Sequence, residues 1–147
     1  VRILLIAVGK VKERGLREVV DDYAGRIRRY AKLDEIELAD GAEREVAARF
    51  QKAIPDRARV VALEVDGERM SSEKLAAYVG RCEVGAVPAV AFLVGGAYGL
   101  PRSISDAADV RLSLSDMILP HRIARLVLAE QIYRAFTILR NEPYSHG

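Results

Sequence analysis

Two runs, Ile3–Val8 and Ala89–Val94, contain no polar side chain. Each has strand length, and each is cut off by glycine, at Gly9 and at Gly95-Gly96. A strand that is apolar at every position must be covered on both faces, the condition of a parallel sheet between helical layers. The sequence between the runs supplies those layers. Gly15–Tyr30 places Leu16, Val19, Val20, Tyr23, Ile27 and Tyr30 at helical spacing, and Glu43–Ile54 stays helical until Pro55. Ser71-Ser72-Glu73-Lys74 opens a further helix reaching to near Arg81, and His121–Arg140 forms a last one about 30 Å long. Leu33–Leu38, Val60–Val65 and Val110–Leu114 read as additional strands, with Asp66-Gly67 as the turn closing the second of these. Strands alternating with helices predict an α/β fold, a mainly parallel sheet flanked by helices. A chain of 147 residues makes this one domain.

In such sheets ligands bind beyond the carboxyl ends of the strands. That places FLVGGAYGL, residues 92–100, at a potential site. It has no lysine, no GxGxxG and no GKS or GKT, so it is a poor phosphate loop. Its glycines either let a ligand approach the backbone or simply permit a turn. In LSLSDMILPHR, residues 112–122, Ser113, Ser115 and Asp116 sit between apolar pieces without a nucleophile elbow, and spacing alone reads them as loop and capping residues.

The last helix is apolar around most of its circumference, through Ile123, Leu126, Val127, Ile132, Tyr133, Phe136 and Leu139. It has to bury two faces, one on its own core and one on a partner, and a second copy of the chain is the economical partner. Glu130 and Arg134, four residues apart on this helix, form either a helical ion pair or the lining of a site.

The net charge of +2 hides an uneven distribution, because lysine and arginine outnumber acids over residues 1–33. Such a face suits an anionic partner, and equally an ordinary solvated helix. Cys82 is the only cysteine, so no internal disulfide forms, and it reads as a small core residue. His121 and His146 make no metal signature with it, and no metal is expected. The charge-free stretch Val84–Pro101 is interrupted by glycines and Pro88, and the opening VRILLIAVGK is too brief for a signal peptide. The expectation is a cytoplasmic chain with no membrane partner.

Taken together, FLVGGAYGL, LSLSDMILPHRIARLVLAEQIYRAF and NEPY, with AVGKVKE and DDYAGRIRRY near the start, resemble the ribosomal RNA large subunit methyltransferase H family. This family lies in the SPOUT superfamily of knotted methyltransferases, and the resemblance covers essentially the whole length. It implies a SPOUT fold whose C-terminal part makes a deep trefoil knot, an exception to the rule against knots. It also implies an obligate homodimer and methyl transfer from S-adenosylmethionine to N3 of a pseudouridine in 23S rRNA of the assembled ribosome. By matching positions, the cofactor is held by Leu63, Gly95 and the loop of Leu114, Ser115, Asp116, Met117, Ile118 and Leu119. Candidates for assisting deprotonation and orienting the base are His121, Glu130, Arg134, Tyr144 and His146. Arg2, Lys10, Lys12, Arg26, Arg28 and Arg29 are candidate rRNA contacts.

One position departs from the family pattern. Where the family has histidine directly after Pro-Tyr, this chain has Ser145 and then His146. That departure favours a rival reading, an RNA-binding module that kept the fold and lost the activity. A nucleotide-binding α/β domain is a weaker rival, since GxGxxG and a ribose-binding acid are missing.

Overall fold

The computed structural model describes residues 1–146, with the side chain of His146 outside the described set. In chain order it contains β1 (Arg2–Val8), α1 (Arg14–Ile27), β2 (Leu33–Leu38), α2 (Glu43–Ala53), β3 (Arg59–Arg69) and α3 (Ser72–Val84). There follow β4 (Ala89–Val94), α4 (Arg102–Ala107), β5 (Val110–Ser113), α5 (His121–Leu139) and a 3-10 turn, Pro143–His146. The five strands form one parallel sheet in the order β2-β1-β4-β3-β5.

The two apolar runs are the centre of this sheet, β1 and β4, paired from Arg2↔Ala89 to Ala7↔Val94. Alternation along them feeds two cores. Ile3, Leu5, Ala7, Val90, Phe92 and Val94 face a layer made by α1, α3 and α5. Leu4, Ile6, Val8, Ala91 and Leu93 face α2 and α4, where Phe50 is fully buried. Cover on both sides is why, past Arg2 at the edge of β1, neither strand carries a polar position. Cys82 is buried in the first core. The α3 helix starts as its sequence indicates, with Ser71 Oγ accepting from the Lys74 N–H at 3.1 Å.

Two elements differ from the sequence reading. Asp66-Gly67 does not end β3. Residues 64–67 bulge outward, the register shifts between Leu63 and Glu68, and Glu68 and Arg69 pair again with Leu112 and Ser113 of β5. Gly67 is there because a Cβ would lie 2.6 Å from the Arg111 carbonyl oxygen. The α4 helix was not anticipated. In six residues, RSISDA, it buries only Ile104 and Ser105, too little to create a periodic signal.

Both helices that α5 packs against belong to the same chain. This helix lies against both α1 and α3, with Leu128, Ala129, Ile132, Ala135 and Phe136 all but inaccessible. Phe136 stacks on Tyr30 at 5.4 Å between centroids. Among the described residues no helix is long and apolar enough to cross a membrane.

Candidate active site

At the carboxyl ends of the strands lies a cleft of about 370 Å³. Leu63 of β3, Val94 of β4 and Leu112 of β5 form its floor. The glycine turn makes one wall, and Leu114–Leu119 with the first turn of α5 makes the other. Leu63, Gly95, Leu114, Ser115, Met117, Ile118 and Leu119 thus converge on one cavity. Asp116 does not line it; its carboxylate turns outward to Arg69 Nη1 at 2.9 Å, and both side chains are exposed. The serines shape the second wall. Ser113 Oγ donates to the Ser115 carbonyl at 3.0 Å, and Ser115 Oγ accepts from the Met117 N–H at 2.9 Å. Met117 and Ile118 overhang the opening, largely in solvent.

Gly95 is a glycine for a reason internal to the turn. A Cβ there would sit 2.4 Å from the Gly99 carbonyl carbon and 2.5 Å from the Leu100 nitrogen. The turn closes on itself through the Gly99 N–H to the Gly96 carbonyl at 3.0 Å, with Gly99 at φ 81. Gly95 still lines the cleft, but the missing side chain answers to the turn's own backbone.

Among the described residues, the ionisable side chains in the cleft wall are Glu64 and His121. Ser105 Oγ donates to Glu64 Oε2 at 2.5 Å, and Arg111 Nε donates to Ser105 Oγ at 3.0 Å. Nothing in the sequence singled out Glu64, because the bulge that turns it toward the cleft is invisible to strand periodicity.

Glu130, Arg134 and Tyr144 form a second polar cluster. Arg134 donates to Glu130 Oε2 through Nε at 3.0 Å and Nη2 at 2.7 Å, and the Tyr144 hydroxyl donates to the same oxygen at 2.8 Å. Gln131 Nε2 donates to Glu130 Oε1 at 2.8 Å and is itself fixed by Ser72 Oγ at 2.6 Å. The Arg134 guanidinium lies 4.9 Å from the Tyr144 ring centroid, and that ring meets Tyr133 edge-on at 4.6 Å. Tyr23, on the apolar face of α1, places its hydroxyl 3.3 Å from that of Tyr144. Burial raises the Tyr144 phenol above its ordinary value, and hydrogen bonds with Tyr23 and Glu130 raise it further. The Glu130 hydrogen bond likewise holds Arg134 firmly protonated.

His121 is not in that cluster. Nine positions separate it from Glu130 on α5, about 14 Å along the axis at about 1.5 Å per residue. The His146 side chain lies outside the described residues.

Arg125, unremarked in the sequence, is buried to 3% exposure on α5. It bonds Glu35 Oε2 (2.5 Å through Nη2), Glu37 and the Gly9 carbonyl (3.2 Å), while Arg17 reaches Glu35 at 2.6 Å. This network ties β2 and the end of β1 to the half of α5 that borders the cleft.

The basic candidates do not form one patch. Lys10 and Lys12 follow β1, at the cleft end of the sheet. Arg2 opens β1, and Arg26, Arg28 and Arg29 close α1, so these four lie toward the opposite end. Arg2 pairs with Asp34 and Arg26 with Asp22, which reduces what either offers an RNA backbone.

A family model described as a predicted SPOUT methyltransferase matches residues 1–146. The chain is 51% identical over 145 residues to Ribosomal RNA large subunit methyltransferase H of Sorangium cellulosum, covering 99% of each sequence. It is 43% identical over 152 residues to the protein of the same name from Geobacter sulfurreducens, again covering 99% of each. Among solved structures, a probable methylase family protein from Haemophilus influenzae matches with a TM-score of 0.59 at 15% identity. That match covers 95% of this chain and 67% of the other and is a likeness of fold.

Proposed function

Because the chain belongs to the SPOUT methyltransferase family, we propose that it methylates N3 of a pseudouridine in 23S rRNA of the assembled ribosome, with S-adenosylmethionine as methyl donor. What carries this reading is the cleft at the strand ends, where Leu63, Gly95 and the Leu114–Leu119 segment meet. Its volume and apolar lining suit a small-molecule site. With one carboxylate, one imidazole and no lysine or arginine among the described residues of its wall, it suits an adenine ring and a cationic group rather than a polyphosphate. When bound, S-adenosylmethionine supplies a methyl group on a positively charged sulfur.

The chain's own residues divide the remaining work. Leu63, Leu114 and Leu119 would hold the adenine, and the backbone of the glycine turn and serine loop would offer it hydrogen bonds. Arg134, held in place by Glu130 and cationic at any working pH, stabilises the negative charge that develops on the pyrimidine as N3 passes its proton to water. Tyr144 serves as a hydrogen-bond donor or stacking surface and not as the base, because its phenol is held protonated. His121 is the imidazole at the cleft edge.

The cluster and the cleft occupy different halves of α5, which supports a site completed by a second copy. In a homodimer the tail of one subunit serves the cleft of the other. Val65, Met117 and Ile118, apolar and exposed near the cleft opening, support such cover. The run from edge strand β5 through Leu114–Leu119 to α5, packed between α1 and α3, supports a trefoil-knotted C-terminal part in a single SPOUT domain. The enzyme acts in the cytoplasm, where its substrate is assembled.

Ser145 favours the second reading, a non-catalytic RNA-binding module. Incubation with methyl-labelled S-adenosylmethionine and assembled ribosomes, free large subunits or naked rRNA separates the two. Label entering rRNA from assembled ribosomes supports the enzyme. Ribosome binding with no label in any sample supports the module.

A further inference from the structure

Tyr98 is 98% exposed, on a turn that gives its backbone little freedom to fold the ring away. The Gly96–Gly99 bridge closes that turn, and Gly95 is packed against the Gly99-Leu100 backbone. On one side of it lies the main cleft, which Ala97 and Gly99 help to line. On the other is a second, smaller cleft of about 230 Å³, lined by Val8, Asp40, Tyr98, Leu100 and Pro101. Beyond Val8 the chain reaches Lys10 and Lys12, both exposed and, among the described residues, without a carboxylate partner. An aromatic face, two unpaired cations and the main cleft therefore share one end of the sheet.

We propose that Tyr98 is a stacking platform for an RNA base next to the modified nucleotide, with Lys10 and Lys12 on the adjoining phosphates. The inference rests on the rRNA reading above and adds a residue and a surface to it. An aromatic ring stacks on any base, whereas lysines track the backbone, so together they position a strand without reading its sequence. On the second cleft's side of a turn that also walls the main cleft, the ring meets the strand beside the main cleft and leaves the cleft itself to the cofactor and target base.

The test compares Tyr98→Phe, Tyr98→Leu and Tyr98→Ala with the unaltered chain. It reads methyl transfer to ribosomes, ribosome affinity, S-adenosylmethionine affinity and oligomeric mass. Tyr98→Phe should behave like the unaltered protein. Leu and Ala should each raise KM for ribosomes and weaken ribosome binding by about fivefold or more, the low end for one lost base stack. Cofactor affinity and mass should not change. Unchanged ribosome affinity in Tyr98→Ala overturns the proposal, as does a Tyr98→Leu variant equal to the unaltered chain, which would mean an apolar contact. A lowered oligomeric mass would place the ring between copies of the chain and also overturn it. If the unaltered chain transfers no methyl, the enzyme reading fails, and the ribosome affinities alone then decide whether Tyr98 stacks.

Discussion

Arg125 shows what a single residue contributes here. Its guanidinium is buried, and Glu35, Glu37 and the Gly9 carbonyl take up its donors. Removing one member of such a network strands the others, so Arg125→Ala should cost about 3 kcal/mol in denaturant unfolding. Arg125→Lys should recover little of this, because one ammonium does not replace the planar fork. Glu35 carries the pH dependence. Burial alone would raise its pKa, but hydrogen bonds from Arg17 and Arg125, and their charges, outweigh burial and hold it below the ordinary 4.5. A lowered folded pKa means that its stabilisation is complete above 4.5 and drains away as pH falls through the lowered value. Unfolding free energy of the unaltered chain should therefore drop across that window, and Glu35→Gln should flatten the drop. None of this was legible beforehand, since an arginine amid apolar helix residues carries no sign of being buried among glutamates on a distant strand.

At the scale of elements, sequence and structure agree where periodicity is strong. The two apolar runs became the central strands, and Glu43–Ile54 became α2 almost to the residue. They part where backbone proximity decides. Asp66-Gly67 has the chemistry of a turn, yet Gly67 is required by the approach of β5, and only the pairing of distant strands reveals that. The short α4 had too few buried positions to give a signal. Gly95 lines the cleft its motif points to, but the sequence does not show why it is glycine. A methyl group there collides with the backbone of Gly99 and Leu100, and their relief must move the cleft wall. Gly95→Ala should destabilise the fold by about 1–3 kcal/mol and weaken S-adenosylmethionine binding at least tenfold by calorimetry. Cofactor affinity equal to the unaltered chain would show that the turn does not shape the site.

At the scale of the whole molecule, the two walls of the cleft were legible because they lie in two short motifs, FLVGGAYGL and LSLSDMILPHR. Separation of His121 from Glu130, Arg134 and Tyr144 was not, because a motif read along a helix says nothing about which end meets the ligand. If the tail of one subunit serves the cleft of the other, a cleft variant and a tail variant should rescue each other at cofactor concentrations too low to load the altered cleft. Mixing Gly95→Ala with Arg134→Ala subunits should restore up to about a quarter of the activity, the share of intact composite sites in a random mixture. Mixtures as inactive as the separate variants would place each site within one chain. The central claim, methyl transfer to a pseudouridine in large-subunit rRNA, is tested most directly by mass-spectrometric mapping of rRNA from ribosomes incubated with the protein and S-adenosylmethionine. The account predicts one added methyl group, on N3 of a pseudouridine in 23S rRNA. An unmodified 23S rRNA, or a methyl on any other atom, would contradict it.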